Sequence, residues 1–260
     1  MQSQNSLNLS NGIFFKLKSS LKKLYKNSNF YEKRISKTFD NNFEYKPSPH
    51  LLSSIIRYQK KKYKIEDFAT EAIWKRNISS KDFKKLNNFF WFFSLDLKSS
   101  KETTQSIILN WINKNEKFDE NIWEFNITAK RIIAWLSNHQ LTYEDSNEEY
   151  RLFFNHMLQK QTNHLLNEIK NLSEIEEKLI GCAAIILTGL AYKDEKNYLD
   201  SGLNILKNII KQSLDKQGFP KSRSIQNLVF YLKYLIIIRE WFKESQNPIP
   251  EYLDETIYYL

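Results

Sequence analysis

The sequence is poor in the residues that punctuate a chain. Its 260 residues include five glycines and five prolines, so few sharp turns are encoded and long helices are favoured over many short strands. A single cysteine, Cys182, excludes an intramolecular disulfide framework. It lies in the apolar stretch LIGCAAIILTGLAY, residues 179–192, and there reads as a buried thiol rather than a nucleophile. Four histidines without ligand-like spacing argue against a zinc site, and no cofactor is expected. Neither a Gly-rich phosphate loop nor a Ser/His/Asp arrangement is visible. Long apolar runs are missing too, and the run at Leu235–Ile238 is too short to span a bilayer. The first residues lack an apolar core followed by a small-residue cleavage site, so no signal peptide is read. The expected location is therefore cytoplasmic, with a periplasmic one left open.

Apolar and aromatic side chains are plentiful. Hydrophobic residues make up 41% of the chain and aromatics 15%, ample for a packed core and enough to exclude global disorder. The formal net charge is +9, which suits an acidic partner such as a nucleic acid, an anionic membrane surface or a uronate polysaccharide. The competing reading is compositional: lysine is scattered over all faces, apart from the run Lys60–Lys62. IIRYQKKKYK, at residues 55–64, is the only stretch resembling a nucleic-acid stripe, and a run this short reads more simply as a solvated face. Ile13–Leu24 is a candidate basic amphipathic helix, resting on anionic lipid or docked on the protein surface.

Two segments are expected. Residues 1–49 hold one amphipathic helix and a linker with two prolines over 40–49, and residues 50–260 form an all-α domain. Capping boxes at Ser99/Glu102, Ser146/Glu149 and Ser173/Glu176 open successive helices. Further helices are placed at about 196–214, 224–245 and 250–260 by hydrophobic periodicity. The 179–192 stretch is apolar nearly all round and belongs inside. Antiparallel helical hairpins stacked in an arc or ring fit this pattern.

Two constellations suggest chemistry. In RIIAWLSNH, Arg131 and Trp135 lie one turn apart, and Asn138 and His139 follow at the helix end. Arg131 could pair a carboxylate, Trp135 stack on a pyranose face and His139 move a proton. The same residues also read structurally, with Trp135 in the core, Arg131 snorkelling and Asn138 and His139 closing the helix. In DKQGFPKSRS, Gly218 and Pro220 make a turn that places Lys221 and Arg223 near the start of the next helix, a plausible cradle for a carboxylate or sulfate. Solvated loop charge is the alternative. His156 and His164 share a helix face two turns apart and read as structural or surface residues.

RIIAWLSNH, LIGCAAIILTGLAY, and DKQGFPKSRS leading into YLKYLIIIREW occur in that order, after FFWFFSLDLKSS and ILNWI (residues 89–112). Together they resemble the helical N-terminal domain of heparinase II/III-like proteins over roughly residues 50–260. The resemblance implies an incomplete (α/α) toroid followed by an antiparallel β-sandwich. It also implies β-elimination of uronate-containing polysaccharide in the cleft between them, in which a base takes the C5 proton and an acid, often Tyr, protonates the leaving oxygen. Where the lyases carry an Asn-His pair, this chain has SEIEEK at 173–178; Phe219 falls where their turn carries His; and no Tyr follows until Tyr231. Gly218 and Arg223 match the turn. The expected partner is an acidic polysaccharide, with a C-terminal sandwich domain outside this chain. Expected site residues are His139 and Asn138 for catalysis, and Arg131, Trp135, Lys221 and Arg223 for substrate. The alternative is a non-catalytic helical module binding glycan or protein; a nucleic-acid-binding protein ranks below both.

Overall fold

A computed structural model describes residues 20–36, 43–48, 51, 79–192 and 196–260. Most of the proposed amphipathic helix and the whole 55–64 stretch, with its Lys60–Lys62 run, lie outside these residues. The described part is all-helical, with no strand; the only β-type pairing is a bridge between Leu214 and Pro220.

The helices in chain order are α1 (Asn29–Ile35), α2 (Ser80–Asn87), α3 (Lys101–Asn115), α4 (Phe125–Ser137), α5 (His139–Thr142), α6 (Glu148–Glu168), α7 (Ile175–Ala191), α8 (Lys196–Ser213), α9 (Ile225–Glu244) and α10 (Glu251–Tyr259). Two 3₁₀ turns intervene, at Phe90–Ser94 and Ile169–Asn171. The last three helices match the sequence expectation to within a residue.

The expected capping boxes sit one residue away from the real caps. Ser100, not Ser99, caps α3, accepting from the Thr103 amide while its hydroxyl donates to Glu102. Asn147 caps α6, because the Ser146 hydroxyl already donates to the Tyr143 carbonyl. Glu174 precedes α7 without a side-chain cap. The pattern located each start to within a residue; at α3 and α6 a neighbouring residue of similar capping strength took the position, and at α7 no side chain caps the helix.

Helix α7 is the centre of the molecule. It packs against α4, α6, α8 and α9, and every residue from Leu179 to Ala191 is buried, as its uniform apolarity predicts. Its pairing with α8 is antiparallel and unusually close. A Cβ on Gly189 would stand 2.4 Å from the Leu199 amide nitrogen, and one on Gly202 would stand 2.6 Å from Ile186. Cys182 is buried in this seam, with Sγ 3.2 Å from the Gly202 carbonyl. Burial pushes its thiol well above the ordinary range, so it is inert as a nucleophile.

On the other side of α7, α4 is held between α7, α6 and the 3₁₀ turn. Phe89, at φ 57°, starts that turn and joins an aromatic cluster with Trp111, Trp135 and Phe154, in which neighbouring ring centroids lie 5.4–6.0 Å apart. Residues 43–48 have no regular secondary structure, and they are docked across the molecule. The Glu44 amide donates to the Ala191 carbonyl at 2.9 Å. The Tyr45 hydroxyl and the Ser48 amide both donate to the Glu244 carboxylate, at 2.7 and 3.0 Å. This strap ties the end of α7 to the end of α9.

Candidate functional site

The residues expected to act on an acidic sugar fall into two separate groups. The α4 group points inward. Arg131 is completely buried. Its guanidinium donates to Gln161 Oε1 at 2.7 Å, to the Asn87 carbonyl at 2.8 Å, and to the Ile122 carbonyl and Thr128 Oγ1 at 3.3 Å. It also lies 4.0 Å over the Trp111 ring. Among the described residues no carboxylate pairs with it, and burial lowers its pKa well below the ordinary value. It joins the end of α2, the loop before α4, and α6. Trp135 is equally buried, with Trp111 and Phe89 edge-on and Phe154 stacked, so neither face is open to a pyranose. The Asn138 amide donates back to the Ala134 carbonyl at 2.8 Å. As an Arg–Trp–Asn platform for substrate, the α4 reading is therefore corrected: the helical period defines a face, and here that face meets α6 and the aromatic cluster instead of solvent.

His139 differs from its neighbours. It is only 6% exposed, yet its Nε2 lies 3.2 Å from Glu144 Oε1, and Glu144 opens onto a hollow of about 630 Å³. The strap residues Phe43, Glu44 and Lys46 form one wall of this hollow, and Tyr143, Glu144, Asp145 and Arg151 form the other. Lys101 ties Asp145 at 2.6 Å and Glu144 at 3.4 Å. Burial and then Lys46 lower the pKa of His139, opposed by Glu144 and the Pro47 carbonyl, and the net direction is down. The imidazole is thus neutral near neutral pH and paired with a carboxylate, the protonation state a general base requires. The strap shields it from bulk solvent. Lys46, Tyr143, Glu144 and Arg151 carry no spacing signal in the sequence; Tyr143 and Glu144 follow His139 directly through the α5 turn and Arg151 opens α6, whereas folding brings Lys46 from the distant strap.

The second group is the basic turn. Asp215 organises it, accepting from the Gln217 and Phe219 amides at 2.9 and 3.0 Å and pairing with Arg223 at 2.8 Å. Desolvation opposes ionisation of Asp215, but the two amides and Arg223 outweigh it and hold the carboxyl below its ordinary value. Gly218 takes φ 83°, and Arg223 takes φ 56°, a left-handed conformation costly for a residue with a long side chain. The Lys221 amide donates to the Ser213 carbonyl and its ammonium to the Lys211 carbonyl, both at 2.8 Å. Lys216, Lys221 and Arg223 are all exposed. Beside the turn lies a hollow of about 590 Å³, lined by Lys211, Lys216, Gly218, Lys221, Glu255 and Tyr259 among others. Neither of these two hollows is lined by both groups.

His164 is structural. Its Nδ1 accepts from the Tyr31 hydroxyl at 2.6 Å and its Nε2 donates to the Trp123 carbonyl at 2.9 Å, and burial drives its pKa down to about 3. Among the described residues, no helix is long and apolar enough to cross a membrane. Comparison with protein-family models, with curated proteins and with solved structures returns no match.

Proposed function

We propose that this chain is a heparinase II/III-like helical domain, an incomplete (α/α) toroid, that binds acidic, uronate-containing polysaccharide at the basic turn. Three observations support this reading. The ordered stretches that carry the resemblance all fall on elements of one packed assembly. The layout of α4, α7 and α9 side by side, with α6 and α8 packed on α7, is compatible with hairpins stacked in an arc. The observation that carries the binding site is the turn itself: a short loop held in strained geometry by Asp215 so that Lys216, Lys221 and Arg223 face solvent beside a hollow. Backbone strain at a charged, exposed residue is retained where the side chain has a task.

The acid–base pair expected on α4 argues for binding over turnover. Asn138 is committed to the helix backbone, and His139 sits under the strap, away from the basic turn. In this reading a β-sandwich partner domain would face the turn, and β-elimination would need groups beyond those near it.

Retention on an immobilised uronate polymer tests the proposal. The wild-type chain is expected to be retained and released by salt. Each exposed charge contributes up to about 1 kcal/mol, so the double variant Lys221→Ala, Arg223→Ala should bind roughly tenfold more weakly. Unchanged retention in that variant removes the basic turn from the proposal. Ultraviolet absorbance from an unsaturated product would restore the lyase reading.

A further inference from the structure

We propose that the corner built from residues 20–26 and α1 docks on an anionic phospholipid surface. Leu21, Leu24 and Phe30 enter the bilayer interface, and the hollow beside them receives an anionic headgroup. The proposal is independent of polymer binding at the basic turn.

The way the first described helix lies carries the inference. Residues 20–26 are helical, and a helix docked only for stability turns its leucines in and its lysines out. Here the order is reversed. Lys22 and Lys26 both reach Glu168 Oε2 at the end of α6, at 2.8 and 2.7 Å, and Lys23 reaches Glu120 at 2.9 Å. Leu21 and Leu24 are left 64% and 69% exposed. The polar side of the helix therefore rests on the body of the protein, and the apolar side is open. Helix α1 repeats the arrangement. Tyr31 and Ile35 are buried, whereas Phe30, Lys33 and Arg34, which share another face at helical spacing, are exposed. The Arg34 guanidinium donates to the Tyr25 hydroxyl at 3.2 Å, and the Tyr25 and Tyr31 ring centroids lie 5.4 Å apart. These contacts join the two exposed faces into one surface.

The charge of that surface is one-sided. Residues 20–31 contain no acid, and Glu32 is turned to Lys160. Two ammoniums, those of Lys22 and Lys26, share a single oxygen of Glu168. Among the described residues, no carboxylate lies within ion-pair distance of Lys33 or Arg34. Lys22, Lys26 and Arg34 line a hollow of about 320 Å³, and Glu168 is the only carboxylate on its walls. Three cations against one acid leave the hollow electropositive, the sign an anionic headgroup completes. Exposed apolar side chains bordered by unneutralised cations suit an interfacial segment on anionic lipid. The other occupants fit less well. A second copy would bring two cation-rich surfaces together, and a nucleic-acid strand has no use for three exposed apolar side chains.

The test is co-sedimentation of the full chain with phosphatidylcholine vesicles, with and without phosphatidylserine. Binding is expected only where phosphatidylserine is present, and added salt should weaken it. The double variant Lys33→Ala, Arg34→Ala should bind roughly twentyfold more weakly. Leu21→Ser, Leu24→Ser should lose at least about tenfold. Leu152→Ser is the apolar control, since Leu152 is 47% exposed but lies about 24 Å along α6 from Glu168; it should bind as the wild type does, and so should Arg223→Ala. All these positions are exposed, so a thermal melt matching the wild type is expected of each variant. Absent sedimentation, or equal sedimentation with both vesicles, overturns the proposal. So does binding that survives the leucine variant, which would reduce the contact to charge alone. Because the polymer proposal is read at Arg223 and this one at Leu21, Leu24 and Arg34, failure of either is visible without the other.

Discussion

Replacing Arg131 separates a ligand-binding arginine from a structural one. In Arg131→Ala, Gln161 Oε1 and the carbonyl of Asn87 lose their donor in a region closed to water, and each orphaned acceptor costs about 1–3 kcal/mol. The ring contact with Trp111 is worth up to about 2 kcal/mol when desolvated, and deleting the long side chain also opens a cavity. Against this stands relief from holding an unpaired guanidinium in the interior, a gain of several kcal/mol. The balance is a loss of about 3–5 kcal/mol. For a chain of this size that corresponds to a fall in Tm of roughly 10 °C, at about 2–4 °C per kcal/mol. Thermal unfolding followed by tryptophan fluorescence reads the change directly, since Trp111 and Trp135 lie beside the site. A double-mutant cycle with Gln161→Ala should return a coupling of about 1–3 kcal/mol. The structural role is refuted if Arg131→Ala melts like the wild type while losing uronate-polymer retention, because that pattern belongs to a residue facing ligand.

Three further outcomes follow from the packing and the titrations. His164 has its pKa depressed to about 3 in the folded chain against about 6.5 unfolded, so the unfolded state binds the extra proton and stability falls as pH drops from 6.5 towards 3, by at most about 5 kcal/mol. His164→Gln should flatten that slope in Tm measured between pH 7 and 4.5, and an unchanged slope would place the acid sensitivity elsewhere. Gly189→Ala sets a methyl group 2.4 Å from the Leu199 backbone nitrogen, so α7 and α8 must separate at a cost of about 2–3 kcal/mol, more than the gain of about 1 kcal/mol in helix propensity; a more stable variant by urea denaturation would contradict the close seam. Cys182, buried with a raised pKa, should react with a thiol reagent no faster than the chain unfolds, and prompt labelling of the native protein would refute its burial.

What could be read in advance was local. Periodicity located α8, α9 and α10 because each has enough apolar residues at 3.6 spacing to mark a side, and α7 was assigned to the interior because it has no polar side to present. The sequence leaves two readings of α4 open, substrate platform and structural core, because a stripe of Ile127, Arg131, Trp135 and Asn138 does not say what covers it. Here α6, α7 and the 3₁₀ turn cover α4 on several sides, so even its arginine is internal. Arg131 is tolerated there because Asn87 and Ile122 present carbonyls and Gln161 an amide oxygen from three other segments, none within reach of a helix-period argument.

The basic turn was legible because its chemistry is local: Asp215 meets Gln217, Phe219 and Arg223 within nine residues. The hollow beside His139 was not. Its strap wall comes from about a hundred residues away, and its docking depends on Glu244 near the far end of the chain. Glu244 therefore acts on a site it does not touch. Removing its carboxylate takes away the partner of both Tyr45 and Ser48, yet leaves Phe43 packed on Tyr143 and Tyr192 and the Glu44–Ala191 bond intact. The strap should then loosen at residues 45–48 while staying anchored at 43–44, and with it Lys46 and the Pro47 carbonyl that face His139. One polar contact on α9 thus governs how closed the His139 hollow is.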